Sequence, residues 1–231
     1  MRRLIINAAN FGLNTAVNRA VIEAFQKGVL TSASLLVDRP ATEEAISMAK
    51  DNEKLGIGVQ LSLSEFLYVN KDRGVATFYW DDSVPIKKII DSVRGQMEKA
   101  LSAGLHIDHV NSSWDIHLRP ELIYIICSIC AEYNIKRIRF YNKYYEVNYP
   151  GMDIGIIKKF LAVYEFKYPE HFIDGWYYGN LDTYSEGTAE LRTTPAYYDA
   201  HGEEELRVLL NPELKKYIED AGIQLITFKE L

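Results

Sequence analysis

Short apolar runs and amphipathic stretches take turns along this chain, and that alternation constrains its fold more than any single residue does. The run Leu4-Ile5-Ile6 ends in small and polar residues. Asn14 can then cap a helix whose Val17, Ala20, Val21, Ala24 and Phe25 share one face before Gly28. Leu30 to Val37 reads as a strand, residues 41–52 as a helix, and Leu55 to Leu63 as the next strand. Pro85 suits a helix start, and helical period holds to Gly104. Ile107 to Asn111 and Lys136 to Phe140 read as strands, separated by a helix opening at Pro120. Residues 153–164 read as a helix and Thr188 to Thr193 as a strand. Asn211-Pro212 starts a last helix ending near Gly222, and Ile223 to Phe228 reads as a closing buried strand.

About seven strand-then-helix units predict an α/β fold: a single-domain (β/α) barrel over residues 1–231, TIM-like but distorted or incomplete. An open doubly wound sheet is the alternative. Neither G-x-G-x-x-G nor G-x-x-x-x-G-K follows the first strand, which argues against a nucleotide-binding sheet. The net charge of −6 gives no electrostatic reason to expect nucleic acid as a partner. No apolar run is long enough to span a membrane. Met1-Arg2-Arg3 is basic, but the apolar run behind it is too short for a signal-peptide core. The expected location is the cytoplasm.

Two stretches break the alternation. Ser64 to Ser83 is a connection of about 20 residues, a length typical of lids and binding loops. Residues 140–150 are dense in tyrosine, as are Trp176-Tyr177-Tyr178 and Tyr197-Tyr198. Such rings stack on sugars, and equally well pack loops or subunit interfaces. Cys127 and Cys130 form a C-x-x-C inside an apolar helical stripe with Ile123 and Ile126, and read as buried reduced thiols.

The end of the first strand, Asn7-Ala8-Ala9-Asn10-Phe11-Gly12, resembles the N-terminal motif of the YdjC-like carbohydrate deacetylases, Asn-Ala-Asp-Asp-Phe-Gly. Residues 17–37 look like that family's first helix and second strand. GVQLSL (58–63) is similar to its Gly-Val-His-Leu-Thr-Leu, and residues 103–117 to a stretch ending Asp-Ser-His-His-His-Val-His. EGTAELRTTPAYYD (186–199) looks like the C-terminal motif, a glutamate followed shortly by His-Pro-Gly. The match is strong for residues 4–120 and 186–231 and weak between them.

The resemblance implies a family reaction, metal-dependent N-deacetylation of amino sugars, and a set of site positions. The divalent-metal ligand positions hold Asn10, Gln60 and Ser113. The catalytic-base position is Ala9, and the histidine of the last motif is replaced by Thr194. Asn111, Trp114 and Asp115 stand where the family has aspartate and histidines; His117 and Glu190 survive. Neutral amides and hydroxyls bind transition metals poorly, and a methyl group takes no proton. The expectation is therefore a pseudoenzyme with no bound metal or other cofactor. It would keep a pocket of Asn10, Gln60, Asn111, Ser112, Ser113 and Trp114 suited to an amino sugar or oligosaccharide. One alternative is a working hydrolase with rearranged ligands, for which Asp115 and His117 are the candidates because two residues apart on an extended segment face one side. Another is a non-catalytic partner subunit of an active paralogue. The family's habit makes a homodimer the expected assembly.

Overall fold

In the computed structural model, which describes residues 1–70, 77–81, 83–175 and 178–231, strands and helices alternate from the N-terminus. β1 (Arg2–Phe11), α1 (Thr15–Lys27), β2 (Ser32–Leu35), α2 (Thr42–Lys50) and β3 (Gly56–Leu61) come first. An antiparallel pair, β4 (Leu67–Asn70) and β5 (Thr77–Trp80), leads to α3 (Ile86–Ser102) and β6 (Ile107–Ser112). A 3-10 segment, Ser113–Leu118, joins β6 to α4 (Pro120–Glu132). Then follow α5 (Asn142–Asn148), α6 (Gly155–Val163), β7 (His171–Asp174), β8 (Gly187–Thr193), α7 (Ala200–Leu209), α8 (Pro212–Asp220) and β9 (Gln224–Leu225).

The main sheet is parallel throughout, in the order β6-β3-β2-β1-β8-β7, with β9 on the first half of β1. Single parallel bridges extend it past β6, from Val110 to Ile138 and from Arg137 to Lys167. A side-chain contact shows that this sheet curls. The 137–139 segment and β8 lie five strand steps apart, about 24 Å in a flat sheet. Yet Arg139 Nη2 is 2.6 Å from Glu190 Oε1 on β8. The result is an incomplete (β/α) barrel. Among the described residues, β7 pairs only with β8, so the wall is not hydrogen-bonded between β7 and the 137–141 segment.

Alternation along β1 sorts the two faces. Leu4, Ile6 and Ala8 join the large core shared with the helices, while Asn7 turns inward to Ser34 and Glu190. The floor of the barrel is apolar: Ile5, Ile226 and Phe228 form a small separate cluster. Higher up the interior is polar. His109 lies against Phe228 (ring centroids 3.9 Å apart), bonds Asp108 at 2.5 Å and meets Ser34 Oγ at 2.9 Å. Gly58 makes room for it, since a Cβ there would lie 2.3 Å from the imidazole. The Ser34–His109–Asp108 series has the residue types of a hydrolytic triad. However, Ser34 is fully buried and also accepts amide hydrogens from Asn7 and Asn111, so the series acts as an interior strut.

Local signals read from the sequence act as expected at several helix starts. Asn14 accepts from Val17 N at 2.9 Å, and Asn211 accepts from Glu213 N at 2.9 Å. Cys127 and Cys130 are free and buried on α4, and burial raises both thiols, Cys130 to about 12. Other segments differ. The tyrosine-dense 140–150 stretch contains α5, and the long connection from Ser64 contains the β4–β5 pair. The strand expected over Lys136–Phe140 is reduced to bridges. Ile223–Phe228 gives only the two-residue β9, because Thr227 and Glu230 form a capping box that starts a 3-10 turn. Residues 71–76, Asp82, and Trp176-Tyr177 of the aromatic triplet lie outside the described residues. Among those described, no helix is long and apolar enough to cross a membrane.

Candidate functional site at the C-terminal strand ends

Asn10, Gln60 and Ser113 come from three different elements, β1, β3 and the turn after β6, and meet at the C-terminal ends of their strands. Gln60 joins them. Its Oε1 accepts from the backbone N–H of Asn10 at 2.7 Å, and its Nε2 donates to Asn10 Oδ1 and Ser113 Oγ, both at 3.0 Å. The backbone N–H can only donate, so it fixes which end of the carboxamide is oxygen. The amide hydrogens of Gln60 therefore point at the two oxygens that a cation would need. Asn10 itself has φ 65°, the left-handed turn by which the chain leaves β1.

The donor set does not fit a divalent hydrolytic metal. It holds two neutral amides and a hydroxyl, already bonded to one another, with no carboxylate or imidazole among them. Ala9 is buried and brings only a methyl group. Thr194 follows Thr193, which pairs with Ala8, so it lies at the same end of the barrel. Its backbone N–H and its hydroxyl both bond Glu205 of α7, which also accepts from Thr193. Asn111, in register with Gln60, donates to Ser34 at 2.7 Å; its Oδ1 is buried without a partner.

Beneath these groups lies a charge network that joins two residues of the sequence-based site, Asp115 and Glu190, to two it did not contain, Arg139 and Tyr141. Arg139 is 2 % exposed, and its guanidinium grips both oxygens of Glu190 and reaches Asp115 Oδ1 at 3.1 Å. Tyr141 donates to the other Asp115 oxygen at 2.8 Å. Burial pushes the Asp115 carboxyl up, but the charge of Arg139, with help from His117 and Tyr141, outweighs it and leaves the group below its ordinary value. Burial and Asp115 together push the Tyr141 phenol up, so it stays a donor. Glu190 faces Ile5 in register, well below the level of Ala9, so it lies deeper in the barrel than Asn10, Gln60 and Ser113.

Asp115 and His117 are not disposed as an extended-segment pair would be. They lie in the 3-10 segment Ser113–Leu118, where Trp114 (φ 60°) and Asp115 (φ 52°) both adopt left-handed backbone. His117 Nε2 donates to the Arg139 carbonyl at 2.9 Å, and Nδ1 accepts from Ser112 Oγ at 2.8 Å. Burial lowers its pKa to about 4, so the ring is neutral with both nitrogens engaged. Among the described residues, no group of three or more His, Cys, Asp or Glu side chains is placed to hold a metal ion. Two left-handed non-glycine residues in a row are strained by roughly 1–2 kcal/mol each. The Asp115–Arg139 pair and the His117 bonds hold the turn in place. The turn sets Ser113 against Gln60 and leaves Trp114, the next residue, 66 % exposed.

Asn7, Ser34, His109, Arg139 and Tyr141 were not singled out from the sequence. One signal was available for Arg139: it sits between Ile138 and Phe140 in a strand-like run, an arginine among apolar neighbours.

An incomplete parallel barrel with polar side chains gathered at the C-terminal strand ends places the chain among the α/β barrels. The sequence profile of the YdjC-like proteins matches residues 3–220, and the chain belongs to that family. A carbohydrate deacetylase of Brevibacillus brevis is 28% identical, with 99% of both chains covered. A carbohydrate deacetylase of Geobacillus stearothermophilus is 29% identical over 99% of this chain and 98% of its own. Among solved structures, a protein of Enterococcus faecalis V583 named for cellobiose-phosphate cleavage shares the fold. Its TM-score is 0.77 at 24% identity, covering 99% of this chain and 98% of its own.

Proposed function

We propose that this chain is a catalytically impaired carbohydrate deacetylase homologue, one that holds an amino sugar or short oligosaccharide without metal-dependent hydrolysis. The observation that carries this reading is Gln60, whose amide hydrogens fill the point between Asn10 and Ser113. Ala9 supports it, since the position where the family carries its base holds only a methyl group. The relatives named for carbohydrate deacetylation supply the substrate class. Amides and hydroxyls match sugar hydroxyls in hydrogen bonding, and the exposed Trp114 indole offers a stacking face.

Elemental analysis after dialysis, together with an acetate-release assay on N-acetylglucosamine oligomers, tests the reading. The expected result is no stoichiometric metal and no acetate above background. About one metal per chain, with acetate release lost in His117→Ala, would overturn it and establish a rearranged active site. Co-purification with an active paralogue, with no sugar binding by the isolated chain, would point instead to a partner-subunit role.

A further inference from the structure

Just past the C-terminal ends of β2 and β3, two opposite charges are held apart at one cleft. It has a volume of about 350 Å³ and is lined by Asp38, Arg39, Ser62, Ser64, Glu65 and Gln96, within the ~300–1,000 Å³ range of small-molecule sites. None of Asn10, Gln60 and Ser113 lines it, so it is separate from the strand-end cluster.

Arg39 lies in the turn from β2 into α2. Its backbone N–H donates to Thr42 Oγ1 at 3.0 Å, and its Nη2 donates to Ser62 Oγ at 2.8 Å. Its Nε is buried without an acceptor, and among the described residues no carboxylate pairs with the guanidinium. Asp38, on the same cleft, is taken by Lys99 at 2.8 Å. Glu65 is exposed and accepts from Ser92 Oγ at 3.0 Å, with no cation beside it among the described residues.

One buried side chain ties both ends together. Gln96 of α3, 5 % exposed, accepts from the Ser62 N–H at 2.7 Å. Its amide donates to the Ser62 carbonyl at 3.0 Å and to Ser92 Oγ at 3.2 Å. Arg39, Ser62, Gln96, Ser92 and Glu65 therefore form a continuous strut with a cation at one end and an anion at the other. Opposite charges on one cleft attract each other, yet here each is bonded to a serine and the two are not paired. A guanidinium with spare N–H donors suits a carboxylate, and a carboxylate suits an ammonium. A molecule carrying both groups would satisfy both ends at once.

We propose that this cleft binds a small zwitterion of the amino acid class, its carboxylate on Arg39 and its ammonium on Glu65. The site stands whether or not the strand ends hold a sugar.

Calorimetric titration of the full chain with glycine, β-alanine, γ-aminobutyrate and ε-aminocaproate tests this, since the series widens the gap between carboxylate and ammonium. At least one member should bind about tenfold or more tightly than the amine and the carboxylate of the same chain length, because each of these lacks one charged contact. Arg39→Gln and Glu65→Gln should each weaken that member to the level of its singly charged counterparts. Glu65→Gln, an exposed change, should keep wild-type thermal unfolding, so it decides the matter should Arg39→Gln fail to fold. Zwitterion binding that survives Glu65→Gln would overturn the proposal. A carboxylate that binds as tightly as the zwitterion, and is lost only in Arg39→Gln, would replace it with a simple anion site. No binding by any member would overturn it outright, and would leave the strand-end reading to its own acetate and metal assays.

Discussion

Replacing Arg139 by methionine is the sharpest test of how the site is supported. The guanidinium makes four hydrogen bonds to two buried carboxylates, three to Glu190 and one to Asp115. Methionine fills most of the same space, so lost packing is a minor part of the cost. The major part is two carboxylates left without their cation in a site that is nearly water-free. Breaking a buried pair in this way costs about 3–5 kcal/mol. Loss of the cation over the Phe172 ring adds about 0.5–2 kcal/mol. The pH dependence distinguishes this from a packing defect. In the native chain Asp115 is depressed, so its contribution is present above the unfolded carboxylate pKa and is lost as pH falls through the folded one. Without Arg139, burial dominates and the group is raised instead. The variant then takes up a proton on folding and recovers stability relative to wild type as pH falls. Urea unfolding of both proteins at pH 8 and pH 5 measures this. The expected gap is several kcal/mol at pH 8 and clearly smaller at pH 5. Arg139→Met combined with Glu190→Gln and Asp115→Asn should regain most of the loss, because the buried charges are then gone. A gap within about 1 kcal/mol at pH 8, or one that does not narrow on acidification, would refute the argument.

Two further outcomes follow from the interior. His117, neutral when folded with a pKa of about 4 against 6.5 for the ordinary group, should cost the protein about 3 kcal/mol as pH falls from 6.5 to 4. His117→Gln should flatten that part of the stability profile in denaturant titrations, and an unchanged slope would show that the ring is not buried neutral. Gly58→Ala would drive a Cβ to 2.3 Å from the His109 ring, which Asp108, Ser34 and Phe228 hold in place. A loss of about 1–3 kcal/mol by thermal unfolding is expected, and unchanged stability would mean that the ring moves freely.

The sequence by itself determined the parts of this protein that depend on neighbours along the chain. Strand and helix periods gave the α/β alternation, because the side chains facing the core recur every two or about 3.6 residues. Asn14 and Asn211 announced their helices because a cap acts on the residues just behind it. The motif positions were legible for the same reason, each lying at the end of a strand-like run. Shorter elements escaped. β7 has four residues and α5 is nearly all tyrosine, valine and polar groups, so neither shows a clear period. The interior of the barrel was decided only in three dimensions. That Gln60 fills the point between Asn10 and Ser113 depends on β1, β3 and the turn after β6 arriving together, 50 and 53 residues apart in sequence. Arg139 illustrates the same limit. Nothing near it in the chain shows its partners, since Glu190 lies 51 residues on and five strands across. A curled sheet brings such groups face to face in a dry interior, where an unpaired charge is too costly to persist. Closure of the sheet therefore dictates which polar residues must meet, whereas local pattern dictates only which strands they occupy.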